Sequence, residues 1–158
     1  MTPELEQYAQ AFDRLHAEAA AVLADLPPEA FNWRPLEGDE STNSLASTLA
    51  HLTGSERYWV GEVAGERPAH RDREAEFRAS ATSGADLQAL LDEAAKVIRE
   101  TLSSLPPEKL GETVTVPGRD GGRTVSKRWA VVHALEHVAV HVGHMQLTRQ
   151  LWEAQGRP

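Results

Sequence analysis

Four histidines near the carboxyl end of the chain are the residues whose type and spacing could do chemistry. They are His133, His137, His141 and His144, and they lie in SKRWAVVHALEHVAVHVGHMQLTRQLW, a proline-free stretch over 126–152. On a helix that turns by about 100° per residue, these side chains fall within roughly 80° of one another. His133/His137 and His137/His141 have the four-residue spacing that lets one helix offer two nitrogens to one metal ion.

A single ion can take only one of these pairs. His133 and His141 are eight residues apart, which separates their backbones by about 12 Å along the helix axis, whereas each ligand nitrogen lies about 2 Å from its ion. A third ligand must then come from elsewhere, and His51 lies near the inner face of an earlier predicted helix. Three imidazoles favour Zn, Ni, Cu or Fe over Mg or Ca and leave positions open for water or substrate.

The same histidines also allow an interpretation without metal. Four imidazoles on an apolar helix could form a buried hydrogen-bond network or a contact between subunits. The His-x-x-x-His spacing is common by chance, and Glu136 does not directly follow His133, so the His-Glu-x-x-His arrangement of zinc proteases is absent. Spacing alone leaves these alternatives open.

Four long stretches of helical periodicity must position the histidines. In each, apolar residues recur every three to four positions, and proline, serine or asparagine marks the boundaries. The stretches are 3–25, 43–63, 83–102 and 126–152. This layout predicts an all-α fold, a four-helix bundle that forms one domain over residues 1–158. The last helix is apolar almost all round, so we expect it to be central or shared with a second subunit.

Two of the connections carry structure of their own. Residues 64–83 are rich in Arg and Glu and predict a mobile, solvated connection with a short helix near Glu74–Ala79. Residues 112–125, ETVTVPGRDGGRTV, alternate Val with polar residues around Asp120-Gly121-Gly122. That pattern predicts a short β-hairpin directly before the last helix.

The composition argues against several classes of function. A formal net charge of −8 at pH 7 argues against nucleic acid as a partner, because phosphate binding needs a basic surface. No apolar run is long enough to span a membrane, and MTPELEQY lacks the features of a signal peptide. The chain has no cysteine, which excludes disulfides, thiolate ligands and a cysteine nucleophile. We expect a cytoplasmic protein that acts on a small molecule.

Three stretches of the chain resemble the DinB/YfiT-like family of small four-helix-bundle metalloproteins. They are FNWRPLEGDESTNSLASTLAHLTGSERYW at 31–59, the predicted hairpin at 112–125, and HVAVHVGHMQLTRQLW at 137–152. With the helix layout, the resemblance covers nearly the whole chain. It implies an up-down-down-up bundle that is often dimeric, and therefore a homodimer here.

The resemblance also implies a ligand set. Matched residue by residue, His51, His137 and His141 would hold one divalent metal, with Zn or Ni favoured and Fe, Mn or Cu also compatible. His144 stands where the family ending HxxxHxGQ has glutamine, which leaves its role open. His133 lies one turn before the motif and is expected to support the ligands or to pack.

Some members of this family use glutathione, mycothiol or bacillithiol as nucleophile or cofactor. The resemblance therefore implies a metal-dependent S-transferase that activates a low-molecular-weight thiol. Ser55, Tyr58, Glu62 and His144 are the candidates for orienting the substrate or relaying a proton. The alternative is a non-catalytic, metal-stabilised protein with a stress-related or binding role. A third interpretation keeps the bundle without any metal.

Overall fold

Long helices dominate the computed structural model, which describes residues 1–36, 42–117 and 121–156. The long helices confirm the four predicted stretches, and shorter helices lie in the connections. In chain order the helices are α1 (Pro3–Leu23), α2 (Pro28–Asn32), α3 (Leu45–Glu56), α4 (Arg73–Phe77), α5 (Gly84–Ser104) and α6 (Lys127–Ala154). A short 3-10 helix, Pro107–Gly111, follows α5.

Serine side chains set the starts of three long helices. Ser44, Ser83 and Ser126 each accept a hydrogen bond from the backbone N–H three residues later, at the starts of α3, α5 and α6. In the first two, the residue three positions later also bonds back to the serine N–H, which completes a capping box. The predicted starts of these helices are confirmed.

The second long helix changes its hydrogen-bond pattern halfway along. α3 runs without a break into a π-helical segment, Arg57–Ala64, which ends at Gly65. A π-helical turn takes more residues than an α-turn and so shifts the facing of the residues in it. Here it brings Trp59 against Trp129 of α6, with ring centroids 5.5 Å apart.

Contacts between α1 and α6 show that these two helices run in the same direction. Arg128, near the start of α6, pairs with Glu4, near the start of α1, at 2.7 Å. Arg149, near the end of α6, donates to the carbonyl of Val22, near the end of α1, at 3.0 Å. Because both starts and both ends meet, α1 and α6 are parallel.

The other two long helices run together in the opposite direction. Gly61 faces Val97, and Gly65 faces Thr101, so the ends of the π-helical segment and of α5 meet. The start of α3 lies beside the later part of α6, where His51 meets His141. The bundle is therefore up-down-down-up, as the family resemblance implied.

The core lies between these four helices and encloses a polar pair, His16 and Glu56. Its largest buried apolar side chains include Phe12, Leu49, Leu52, Leu91, Ile98, Leu102 and Met145. The imidazole Nε2 of His16, on α1, lies 2.9 Å from both carboxylate oxygens of Glu56, at the end of α3. Glu56 is fully buried, so this polar pair lies inside the core, where it joins α1 to the end of α3.

The predicted hairpin is confirmed. Strands β1 (Thr113–Val116) and β2 (Arg123–Ser126) are antiparallel, with Val114 opposite Val125. Val116 and Val125 pack against Val63 and Ala130, so the hairpin closes over the start of α6 and the end of the π-helical segment. Asp120 of the predicted turn lies outside the described residues.

None of the helices in the described part of the chain is long and apolar enough to cross a bilayer. The cytoplasmic location, the absence of a nucleic-acid partner and the single-domain organisation over residues 1–158 stay predictions from the sequence.

Candidate metal centre

Three histidines meet in the groove between α3 and α6. The ring centroid of His51 lies 4.9 Å from that of His137 and 5.0 Å from that of His141, and the last two lie 4.4 Å apart. One nitrogen from each of the three lies within 4.8 Å of the other two. We call these three residues the triad. Its side chains are close enough to share one ion, and neutral imidazoles are ligands that Zn, Ni, Cu and Fe accept.

The triad has nitrogens without a protein partner. The Nδ1 atoms of His137 and His141 are buried and accept no hydrogen bond from the described residues. Burial, and then the neighbouring imidazoles, lowers the pKa of His137 to about 3 and that of His141 to about 4. Both rings are therefore neutral at pH 7, the form in which histidine binds metals. Buried nitrogens without partners in neutral rings fit a metal site.

A carboxylate on α4 orients the third imidazole. The Nδ1 atom of His51 lies 2.9 Å from Oε2 of Glu76. Beside a carboxylate, Nδ1 carries the proton and donates it, which leaves the Nε2 lone pair for another partner. Phe77 stacks on the same ring, with centroids 4.5 Å apart. The His51 ring is thus held by a hydrogen bond and by stacking.

Arg71 keeps that carboxylate ionised and in place. Its Nε donates to Oε1 of Glu76 at 2.7 Å, and its Nη2 donates to Oε2 at 2.9 Å. Burial alone would raise the pKa of Glu76, but the hydrogen bonds from His51 and Arg71 outweigh it and hold the pKa below its usual value. The ionised form is the stronger acceptor for the His51 N–H.

Glu76 and Arg71 are the functional candidates that the sequence did not reveal. Residues 64–83 were expected to be solvated, yet Glu76 is 8% exposed. Gly54 is the signal that could have found the contact. A glycine inside a helix costs about 1 kcal/mol, and a Cβ at this position would overlap Oε1 of Glu76. The glycine therefore marks the place where α4 approaches α3.

His133 lies outside the triad and takes part in an aromatic stack. Its ring lies parallel to that of Trp129, with centroids 4.5 Å apart, and meets the edge of Trp59 at 4.9 Å. The His133 and His137 centroids are 6.2 Å apart. Burial, and then the charge of Arg123, lowers the pKa of His133, so this ring is neutral at pH 7.

The four predicted catalytic candidates have different surroundings. His144 is exposed, and its ring centroid is 5.3 Å from that of His141. The guanidinium of Arg71 lies 5.9 Å from the ring centroid of Tyr58. Ser55 is buried one turn after His51, and the Glu62 carboxylate accepts a hydrogen bond from the backbone N–H of Ala69 at 2.8 Å. The catalytic roles of all four stay predictions.

Comparison with known proteins places this geometry among similar bundles. The family model described as the DinB superfamily matches residues 11–145, while no curated protein matches the chain. The structure of YfiT from Bacillus subtilis, described as a probable metal-dependent hydrolase with an unusual four-helix bundle topology, is similar with a TM-score of 0.72 at 15% identity, over 100% of this chain and 91% of that one.

Two further solved structures share the fold. A conserved protein from Enterococcus faecalis is similar with a TM-score of 0.71 at 16% identity, over 96% of this chain and 98% of that one. The mycothiol-dependent maleylpyruvate isomerase is similar with a TM-score of 0.65 at 15% identity, over 89% of this chain and 60% of that one. Identities this low establish a common fold and leave the activity to be argued from the site.

Proposed function

Since the chain belongs to the DinB superfamily, and three of its imidazoles converge on one point, we propose that it is a metal-dependent enzyme that transfers a low-molecular-weight thiol to an electrophile. His51, His137 and His141 would hold a divalent transition metal, with zinc or nickel favoured and iron, manganese or copper also compatible. Such a metal acts as a Lewis acid that favours the ionised form of a thiol. The chain has no cysteine, so the sulfur comes from a small molecule.

One observation carries this proposal: the buried Nδ1 atoms of His137 and His141 have no hydrogen-bond partner among the described residues, beside a His51 ring that Glu76 holds in place. This costly arrangement is explained if the rings serve a ligand. Two neighbours of the same fold support the use of a metal and of a thiol, one described as a probable metal-dependent hydrolase and one as a mycothiol-dependent isomerase.

The surrounding side chains supply the proton chemistry of the transfer. The thiol sulfur forms a bond to an electrophilic carbon, and the leaving group departs with its electron pair. Burial raises the pKa of Tyr58, so its phenol stays protonated and can donate a hydrogen bond to the leaving atom. We assign the exposed imidazole of His144, beside His141, to accept the thiol proton. Ser55 and Glu62 are assigned to orienting the substrate.

A panel of thiols tests the proposal. Glutathione, mycothiol and bacillithiol are each offered with chlorodinitrobenzene to metal-loaded protein, to chelator-stripped protein and to the His137→Ala variant. Turnover with at least one thiol that needs both metal and His137 is expected. His70→Ala, at an exposed histidine outside the triad, is the control and keeps the wild-type rate.

Equal rates in His137→Ala and wild type would overturn the enzymatic proposal. If no thiol turns over but added metal still raises the melting temperature, the protein is the alternative predicted from the sequence, a metal-stabilised protein with a binding or stress-related role. If the protein shows no turnover and metal does not stabilise it, the metal-free interpretation is favoured.

The apolar surface of α6 supports a homodimer. Val140, Leu147 and Leu151 are 56%, 53% and 41% exposed, and their spacing places them along one side of the helix. We propose that a second copy of the chain covers this stripe. Sedimentation of wild type as a dimer, and of Leu147→Asp as a monomer, is expected. A Leu147→Asp variant that stays as dimeric as wild type would contradict this contact.

A further inference from the structure

Arg123, on strand β2, lies over the indole ring of Trp129 and beside that of Trp59. Its guanidinium carbon lies 4.1 Å from the ring centroid of Trp129 and 5.5 Å from that of Trp59. A guanidinium stacked on an aromatic face keeps its N–H groups in the plane, where they can bind a carboxylate with two hydrogen bonds. Stacking therefore pre-orients this exposed cation, so less side-chain entropy is lost when an anion binds.

The described part of the chain gives Arg123 no carboxylate partner, whereas six other arginines there each form an ion pair with Asp or Glu. These are Arg67, Arg71, Arg78, Arg99, Arg128 and Arg149. The formal charge of the whole chain is −8, so acidic groups are plentiful. A stacked, exposed arginine without an acid in such a chain has the properties of a binding group for an external anion.

A continuous row of rings joins Arg123 to the triad. Trp129 stacks on His133, and the His133 and His137 centroids are 6.2 Å apart. Trp59 meets the edge of His133 from the π-helical segment. Eight residues of helix separate Trp129 from His137, which corresponds to about 12 Å along the axis of α6. A ligand that reaches from the triad to Arg123 therefore lies along a largely apolar floor of that length.

We infer that Arg123 anchors a carboxylate at the far end of the thiol, about 12 Å along α6 from the triad that serves the sulfur. This inference rests on the proposed function and narrows its substrate class. The preferred thiol is extended and carries an anionic group remote from its sulfur, while short or uncharged thiols bind more weakly. Arg123 is a specificity-determining residue in this account, and Trp59 and Trp129 are the residues that position it.

A series of straight-chain thiols of increasing length tests the anchor without relying on turnover. Cobalt-loaded protein is titrated with mercaptopropionate, mercaptohexanoate, mercaptooctanoate and mercaptoundecanoate, and each is compared with its uncharged amide. Sulfur-to-cobalt charge-transfer absorption reports binding. Wild type is expected to bind the carboxylate that matches the span about tenfold more tightly than its amide, the effect of one charge-assisted contact.

Substitutions of arginine test which residue causes the preference for the carboxylate. Arg123→Gln is expected to remove the preference for the carboxylate and its dependence on chain length, and Arg123→Lys to keep part of it. Arg128→Gln is the matched control because it removes an arginine that pairs with Glu4 instead, and it keeps the wild-type preference. Circular dichroism shows that each variant is folded.

The possible failures are distinguishable. The anchor is refuted, and the proposed thiol chemistry stands, in two cases in which the absorption band appears. In the first, wild type binds each carboxylate no more tightly than its amide. In the second, Arg123→Gln binds the carboxylates as tightly as wild type does. If no thiol of the series produces the absorption band, both the proposed function and the anchor are refuted.

Discussion

Replacing Glu76 by glutamine separates an oriented metal site from three histidines that merely lie close together. Glutamine keeps the size of the side chain and can still accept the N–H of His51, which lies 2.9 Å from Oε2, but it carries no charge. The contact to His51 then changes from a charge-assisted hydrogen bond to a neutral one, a loss of about 1 kcal/mol. Metal affinity is therefore expected to fall about five- to tenfold. Glu76→Ala also removes the acceptor and is expected to cost about 10- to 100-fold.

Competition with a chromogenic chelator at pH 7.5 measures the affinity for zinc. Glu74→Gln is the matched control: it lies on the same short helix, its side chain is 87% exposed, and its affinity is expected to equal that of wild type. In a His51→Ala background the Glu76→Gln change is expected to have no further effect, because its partner is gone. Equal zinc affinities of Glu76→Gln and Glu74→Gln would refute the orienting role of Glu76. The same would follow if Glu76→Gln lowered the affinity of the His51→Ala variant as much as it lowers that of wild type.

Three further outcomes follow from the same centre. Gly54→Ala puts a Cβ against Oε1 of Glu76 and is expected to cost about 1–3 kcal/mol of stability; a higher melting temperature, as helix propensity alone would give, would contradict the close approach. In metal-free protein, the pKa values of about 3 for His137 and about 4 for His141 lie below the unfolded value of about 6.5. The unfolded chain then binds more protons, so the free energy of unfolding should fall as pH falls from about 6.5 towards about 3, by at most about 1.4 kcal/mol per pH unit for each histidine. Urea denaturation at each pH measures this free energy, and a value that does not change with pH would contradict the reasoning. Saturating zinc is expected to raise the melting temperature of wild type but not of His141→Ala, and equal shifts would argue against His141 as a ligand.

Much of the fold follows from local patterns in the sequence. The apolar periodicity predicted four long helices, and the cap positions Ser44, Ser83 and Ser126 are where the helices start. Alternating valines around a glycine pair predicted the hairpin. These features succeed because propensity, capping and burial all agree over a few neighbouring residues. The direction of the helices came from the family resemblance, since periodicity does not encode it.

The candidate site was partly predictable. The spacing of His137 and His141 follows from one helix, and His51 was placed near an inner face, so their convergence required only that α3 and α6 pack together. The role of Glu76 was missed because its partner His51 lies on another helix, 25 residues earlier in the chain, and its own segment is rich in charge. The π-helical turns before Gly65 were missed as well, because the apolar positions were compared only with the α-helical repeat, and eight residues are too few to reveal a different one.

Metal content is the most direct test of the central claim that His51, His137 and His141 form one metal site. The protein is purified without an affinity tag, incubated with zinc and nickel, freed of excess metal and subjected to elemental analysis. Close to one equivalent of transition metal per chain is expected for wild type, and almost none for His51→Ala or His137→Ala. A wild-type protein that retains no metal, or single variants that retain the full equivalent, would contradict the account.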